Sequence, residues 1–163
     1  QDFTVRAVRQ DDLESIAEIE SVCFPAAEAA SRASFKERIA AFPESFLVAE
    51  ADGKLIGYIN GCATDSPVIY DELFYSTTTK QNGENLTVFG LAVIPEFQRQ
   101  GVAAQLMKHF VQTAKSLGKR NVILTCKERL ISYYERFGYV SNGISKSAHG
   151  GTQWFDMTLA LDK

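Results

Sequence analysis

The sequence predicts a single mixed α/β domain. Apolar patterns with helical and with strand periodicity alternate along the chain in the order β-α-α-β-β-β-α-β-α-β-β. Of its 163 residues, 45% are apolar, which suits one well-developed core. No repeat, low-complexity tract or linker divides the chain, so we expect one domain over residues 1–163.

Each element is predicted from its periodicity and from the residues at its ends. The first half gives a strand over 3–7, a helix from Asp11 or Asp12 to Pro25, a helix from Ser31 or Ser34 to Pro43, and a hairpin of strands 46–51 and 54–63 joined by Asp52-Gly53. The second half gives a strand over 85–93, a helix over 101–117, a buried strand over 121–126, a helix over 130–137, and a hairpin of strands 139–145 and 153–161.

Two connections have predicted consequences. Strands 85–93 and 121–126 are joined through a helix, so we expect them to be parallel, with a right-handed crossover. The polar stretch 64–84 is too long for a simple connection and is predicted to be a functional loop or flap, in which Asp71 and Glu72 could face a cationic ligand.

The charge pattern argues against a protein that binds mainly nucleic acid or anionic membrane. The net charge is -3. Residues 98–136 nevertheless carry eight basic and two acidic side chains, and the remainder is acidic. This division is compatible with an anion site on one part of the surface and a cation site on another, and equally with solvated helix faces.

Composition and residue spacing also predict the cellular compartment and whether the chain binds a metal ion. No apolar run reaches the length of a spanning helix, and the N-terminus has no basic and apolar leader, so we expect a cytoplasmic protein without membrane contact. Cys23, Cys62 and Cys126 match neither a disulfide framework nor a metal clip and are expected to be reduced core thiols. His109 and His149 complete no metal site with them, so no metal is predicted.

One segment has the properties of a pyrophosphate cradle. It lies between a predicted strand and a predicted helix and consists of Gln98, Arg99, Gln100, Gly101, Val102, Ala103 and Ala104. Its small residues let a ligand approach the backbone, while the amides and positive dipole end of the helix face that ligand. A plain strand-to-helix turn with a packing glycine explains the segment equally well on physical grounds.

A glycine inside the preceding strand adds a second feature. Gly90 interrupts an otherwise strong strand pattern, and such glycines often mark a bulge that bends a strand away from its neighbour. The backbone of Leu91, Ala92 and Val93 would then be open to an extended ligand containing amides. A packing glycine is the alternative.

Together these residues resemble the acetyl-CoA signature of the GNAT acetyltransferase superfamily, Gln/Arg-x-x-Gly-x-Gly/Ala. The order of predicted elements is similar to that fold over essentially the whole chain. The resemblance implies a mixed, mostly antiparallel sheet, with helices on both faces and a central parallel pair, strands four and five, splayed around acetyl-CoA. It also implies that the pantetheine arm pairs with residues 91–93 and that the amides of residues 99–104 hold the pyrophosphate.

A narrower resemblance concerns the acceptor side. Residues 18–25, 46–50 and 134–139 are similar to the arylalkylamine N-acetyltransferases and their bacterial relatives. The resemblance makes Phe24 and Pro25 part of the acceptor segment. By its residue type, Phe89 could line an apolar acceptor pocket or belong to the core. From the last hairpin, His149 could reach the acceptor mouth or be a turn residue. Where the animal enzymes carry two histidines before the cofactor strand, this chain has Thr87 and Phe89, so the proton route differs.

The same resemblance suggests two catalytic residues. Tyr134 occupies the position of the tyrosine that protonates the departing thiolate, and a phenol is protonated at pH 7. Packing of its ring is the alternative role. Glu20, in the first helix, is the candidate base or the anion that receives the substrate ammonium. With Glu14 and Glu18 it could instead form a solvated helix face.

Three functions follow in order of preference. The first is direct acetyl transfer from acetyl-CoA to a primary amine of a small molecule, in a ternary complex and without a covalent enzyme intermediate. The second is acetylation of a protein N-terminus or lysine. The third is a catalytically silent acetyl-CoA-binding module. A homodimer is compatible with the resemblance, although no interface can be read from the sequence.

Overall fold

Two sheets carry the mixed α/β architecture that the sequence predicts. The computed structural model describes residues 2–70, 83–147 and 149–161. The strands of this part are β1 Thr4–Ala7, β2 Phe46–Ala51, β3 Lys54–Asn60, β4 Ala63–Thr64, β5 Asn85–Val88, β6 Gly90–Val93, β7 Asn121–Cys126, β8 Val140–Ile144 and β9 Phe155–Ala160. Its α-helices are α1 Leu13–Cys23, α2 Arg32–Ala41, α3 Val102–Ser116 and α4 Ile131–Glu135.

The topology confirms the mixed, mostly antiparallel sheet arrangement. The first sheet has the order β1-β2-β3-β6, and its pairs are all antiparallel. The second has the order β4-β5-β7-β9-β8, in which β5 and β7 are parallel and the other pairs antiparallel. The predicted parallel pair is therefore present, with α3 in the connection between its strands.

The predicted strand 85–93 is in fact two strands that belong to different sheets. Val88 is the last residue paired with β7, whereas Gly90 already pairs with Asn60 of β3. Phe89, between them, is the point where the sheets diverge. The interruption expected at Gly90 is thus one residue earlier, where the Phe89 amide also donates to the Asn60 carbonyl (2.7 Å). Beyond this point the chain diverges from β7, as predicted.

A second predicted strand also ends early, for a steric reason. The strand expected over 54–63 stops at Asn60, and Ala63 pairs with Leu86 in the other sheet. A Cβ on Gly61 would lie 1.6 Å from the carbonyl oxygen of Thr87. Only glycine lets the two backbones cross this closely, so Gly61 enables the change of sheet.

The helix starts are decided by local hydrogen bonds. The Ser31 side chain accepts a hydrogen bond from the amide of Ser34 (3.1 Å), so Ser31 is the cap of α2. Asp12 precedes α1 but does not cap it through its side chain. Its carboxylate instead accepts from the Arg9 amide (2.7 Å) and pairs with Arg6 (2.9 Å).

Most other elements begin and end within two residues of their predicted bounds. The core lies between the sheets and the helices, and Phe35, Phe46, Tyr58 and Phe110 are among its fully buried side chains. Of the predicted flap, residues 71–82, including Asp71 and Glu72, lie outside the described residues. Cys62 and Cys126 are buried as predicted, whereas Cys23 is only half-buried.

Candidate active site

The start of α3 presents backbone amides at a tight turn. Arg99 and Gly101 have φ angles of +65° and +85°, and Gly101 is the residue before the helix. The Gln105 amide donates to the Gly101 carbonyl, so the three amides before Gln105 have no acceptor within the helix. A Cβ on Gly101 would meet nothing within 4 Å. The segment therefore offers an open cluster of donors at the positive end of a 15-residue helix.

Side chains from the same segment brace the turn. The amide group of Gln98 donates to the carbonyl of Val93 (3.0 Å), and that of Gln100 donates to the carbonyl of Glu96 (3.1 Å). Both side chains thus contact the protein backbone, which leaves the backbone of the turn as the surface presented to a ligand.

The strand β6 has one unpaired edge among the described strands. The Ile94 amide donates to Ile56, so the amides of Leu91 and Val93 point to the opposite edge, away from β3. Ala92 faces β3 instead, and the Val93 carbonyl already accepts from Gln98 and from the thiol of Cys23 (3.4 Å). An extended ligand on this edge would pair chiefly with Leu91 and the amide of Val93.

A cavity of about 380 Å³ opens where the two sheets diverge. It lies among the segment after α1, the junction of β5 and β6, the end of β7, and α4. The six residues predicted for catalysis and acceptor binding all line it: Glu20, Phe24, Pro25, Phe89, Tyr134 and His149. They come from four separate stretches of sequence, so only the fold brings them together.

Glu20 is a buried carboxyl group held by two donors. Its Oε2 accepts from the amide of Ala30 (2.8 Å), and its Oε1 accepts from the hydroxyl of Tyr58. Burial raises the pKa of Glu20, and this effect outweighs the opposing effects of the Ala30 amide, Arg38 and His149. The solvated helix face considered for Glu20 is wrong, since the residue is 7% exposed.

Tyr134 lies in α4 and also lines the cavity. Its ring packs against Tyr133 and Tyr139, with centroids 5.2 and 5.8 Å away. Burial, followed by Tyr133 and Cys126, raises the pKa of Tyr134, so the phenol stays protonated well above pH 7. Ring packing and cavity lining are therefore both observed for this residue.

Cys126 also lines the cavity but is a poor nucleophile. Burial raises the pKa of its thiol to about 11. A thiol with this pKa is almost entirely protonated at neutral pH, and the thiolate is the reactive form.

The two residues that replace the family's histidines have different environments. Thr87 is fully buried, and its hydroxyl accepts from the amide of Cys62 (3.0 Å) and contacts the Cys62 sulfur. Phe89 packs edge-on against Phe42 (6.1 Å) and beneath the guanidinium of Arg38 (4.9 Å). Thr87 is not part of the cavity wall, whereas Phe89 is an apolar part of it.

Three segments meet at the cavity wall in contacts that the sequence did not indicate. Lys127 Nζ pairs with Glu28 Oε2 (2.9 Å), and His149 Nε2 lies 3.0 Å from the Glu28 carbonyl oxygen. The Trp154 indole donates to the His149 carbonyl (2.8 Å). A Cβ on Gly150 would lie 2.6 Å from Glu28 Cγ, so the segments are closely packed. We call this contact of Glu28, Lys127, His149 and Gly150 the clasp.

Arg38 is a cavity residue that the sequence analysis missed. It is 6% exposed, and it donates to Asn60 Oδ1 (3.2 Å). A signal was available, because Phe35, Arg38, Ile39 and Phe42 share one helical face, and an arginine within an apolar stripe is unusual.

Searches for other kinds of site gave two negative results. Within residues 2–70, 83–147 and 149–161, no cluster of three or more His, Cys, Asp or Glu side chains is arranged to hold a metal ion. Over the same residues, none of the helices combines the length and apolar character required to span a bilayer.

Comparison with known proteins agrees with this geometry. The family model described as "Acetyltransferase (GNAT) family" matches residues 13–139. Serotonin N-acetyltransferase of Mesocricetus auratus is 25% identical over 120 residues, which are 73% of this chain and 57% of that protein. The chain spans between 25% and 57% of the length of the first curated relatives it matches.

Solved structures share the fold over nearly the full chain. The GphF GNAT-like decarboxylase in complex with isobutyryl-CoA has a TM-score of 0.84 at 18% identity, covering 98% of this chain and 100% of that one. The ribosomal-protein-S18-alanine N-acetyltransferase from Escherichia coli has a TM-score of 0.73 at 18% identity, covering 99% and 96%. From the family match and the shared fold, the chain belongs to the GNAT acetyltransferase family.

Proposed function

We propose that this protein transfers the acetyl group of acetyl-CoA to a primary amine of a small molecule. The observation that carries the proposal is a cavity that places a buried carboxyl group, Glu20, and a buried phenol, Tyr134, in its wall beside the open edge of β6. In this arrangement, Leu91 and Val93 hold the pantetheine arm, and the amides before Gln105 hold the pyrophosphate.

Glu20 supplies the means to use an amine. For an alkylamine with a pKa of about 10.4, deprotonation at pH 7 costs roughly 4.6 kcal/mol of free energy, so a group in the site must take its proton. Glu20 first receives the ammonium and takes one proton from it, which frees the nitrogen lone pair to attack the thioester carbonyl. The nitrogen loses a second proton as the amide forms, and this proton balances the one that the departing thiolate receives. Each of its oxygens holds one hydrogen bond and has room for another.

Tyr134 protonates the departing thiolate. In water, a phenol is a weaker acid than a thiol by about 1.5 pKa units, which opposes the transfer. Burial raises the pKa of the Tyr134 phenol as well as that of the neighbouring Cys126 thiol, so burial does not remove this difference. What favours Tyr134 as the acid is its place in the cavity wall and its protonated state at neutral pH.

The contacts of the clasp favour a small molecule as the acceptor and argue against a protein acceptor. Glu28, in the segment after α1, and Lys127, directly after β7, both line the cavity and form an ion pair. A peptide needs an open groove through which the rest of its chain leaves the site, whereas a small amine needs only the cavity. The aromatic side chains of Phe24, Phe89 and Trp154 suit an acceptor with an apolar part.

The compartment we propose is the cytoplasm. All three cysteines carry free thiols, and two of them line the cavity. Free thiols are typical of a reducing compartment.

The test is release of the CoA thiol from acetyl-CoA with a panel of arylalkylamines, polyamines, amino sugars and short peptides. We expect turnover with at least one small amine and little with peptides, and loss of turnover in Tyr134→Phe. Turnover confined to peptides would favour the protein acetyltransferase. Consumption of a carboxyacyl-CoA with loss of CO₂ and no thiol release would contradict acetyl transfer altogether.

A further inference from the structure

Tyr58 has not been given a role in the proposed function. Its hydroxyl nevertheless forms a hydrogen bond from the first sheet to Glu20. The residue lies in the middle of β3 and is fully buried. Its ring packs against Phe35 (5.6 Å, edge-on) and Phe46 (6.1 Å). These aromatic neighbours fix the ring, so the hydroxyl that donates to Glu20 Oε1 has a defined position.

Glu20 is thereby attached to two different parts of the fold. Oε1 is held from the sheet by Tyr58, and Oε2 is held from the segment between α1 and α2 by the amide of Ala30. Two donors on opposite oxygens fix the plane and direction of a carboxylate. A glutamate on a helix without such partners would sample several rotamers.

We propose that Tyr58 is a positioning residue that holds the Glu20 carboxylate in the cavity wall, aimed at the acceptor amine. The inference rests on the proposed function only in assigning the amine to Glu20. The hydrogen bond and its effect on Glu20 exist whether or not an amine is acetylated.

The hydrogen bond also acts on ionisation. Burial disfavours the charged form of Glu20, and a donor to the carboxylate favours it. Other groups face Glu20 as well: Arg38 from α2, His149 from the connection before β9, and Cys23 on its own helix. Removal of the Tyr58 hydroxyl leaves these groups in place, so any change in titration reports the lost hydrogen bond.

The experiment measures Glu20 directly and then measures the reaction. In protein with ¹³C-labelled glutamate side chains, the Glu20 carboxyl is titrated by NMR in wild type, Tyr58→Phe and Tyr139→Phe; Glu20→Gln assigns the signal. Tyr139→Phe is the matched control, because Tyr139 is also a buried tyrosine, with its hydroxyl on the Met107 sulfur (3.3 Å). We expect Tyr58→Phe to raise the Glu20 pKa by about one unit and Tyr139→Phe to leave it unchanged.

The kinetic readout separates positioning from structure. For an accepted amine, Tyr58→Phe should lower kcat/KM about tenfold and move the acidic limb of the pH profile to higher pH, with acetyl-CoA affinity unchanged. Combined with Glu20→Gln, it should cause no further loss, since both act through one group.

Two outcomes overturn the inference. One is a Glu20 pKa that Tyr58→Phe does not change, whatever the activity. The other is a Tyr58→Phe pH profile whose acidic limb superimposes on that of wild type, together with a double variant in which the kcat/KM losses of Tyr58→Phe and Glu20→Gln multiply. If wild type acetylates no amine but the Glu20 pKa still rises in Tyr58→Phe, the proposed function fails and the positioning of Glu20 stands.

Discussion

Lys127 Nζ lies 2.9 Å from Glu28 Oε2, and this ion pair joins the end of β7 to the segment after α1 across the cavity. The Glu28 side chain is 10% exposed and that of Lys127 is 27% exposed, so the pair is partly shielded from bulk water. His149 and Gly150 pack against the same segment. The clasp therefore joins separate segments of the chain at the cavity wall.

Opening the clasp should change which acceptors are used. We expect Lys127→Met to raise the ratio of kcat/KM for a short peptide to that for a small amine about tenfold, because the two segments can then separate. Lys115→Met is the matched control, since Lys115 is exposed near the far end of α3. Equal ratios in all three proteins would show that the clasp does not limit acceptor size.

Replacing Tyr134 should affect chemistry and not cofactor affinity. Tyr134→Phe keeps the packed ring and loses the proton donor, so we expect kcat to fall about 10²-fold with little change in acetyl-CoA affinity. A general acid is lost as pH rises through its pKa, and burial places the pKa of Tyr134 above its ordinary value of 10. Titration of Tyr134 should therefore cause no fall in rate between pH 8 and 10. A wild-type rate in Tyr134→Phe would contradict the assignment of Tyr134 as the general acid.

The thiol of Cys126 should be dispensable. Its pKa of about 11 leaves less than about one thiolate in a thousand at pH 7.5. We expect Cys126→Ser to retain transfer within about threefold, and mass spectrometry of wild type mixed with acetyl-CoA to show no acetylated Cys126. An acetylated cysteine that disappears on addition of the amine would instead indicate a covalent intermediate.

The turn before α3 offers a paired test of the cradle. Gly101 and Gly118 both have positive φ, +85° and +74°, with nothing within 4 Å of an added Cβ. Alanine at either position should cost about 1 kcal/mol of unfolding free energy through backbone strain. Only Gly101→Ala should also weaken CoA binding, by several-fold in calorimetry, because Gly101 shapes the turn that presents the amides. An equal effect of both variants on CoA affinity would count against the cradle.

The crossing of the two sheets can be tested with a second pair of glycines. A Cβ on Gly61 would lie 1.6 Å from the Thr87 carbonyl oxygen, whereas one on Gly90 would meet its nearest atom at 3.7 Å. We expect Gly61→Ala to lower unfolding free energy by about 3 kcal/mol and Gly90→Ala by less than about 1 kcal/mol. Denaturant titration measures both, and similar values for the two would contradict the close crossing.

Local sequence patterns predicted much of the fold. The turn Asp52-Gly53, the cap Ser31 and the apolar run 121–126 each act within a few residues, and each element formed where the pattern placed it. The positions where the sequence misled, Gly61 and Phe89, depend on a neighbouring strand. A strand pattern records that residues are extended, but it does not record which sheet they join.

By itself, the sequence determined the order of the elements, the family and the segment that begins α3, because these depend on neighbours along the chain. Only the tertiary structure decided the cavity. It brought Glu20 to Tyr58, Glu28 to Lys127 and Arg38 to Phe89, pairs separated by between 38 and 99 positions. Burial and electrostatic pairing depend on distance in space, so the residues that shift the Glu20 pKa and pair across separate segments of the cavity wall are visible only after the chain has folded.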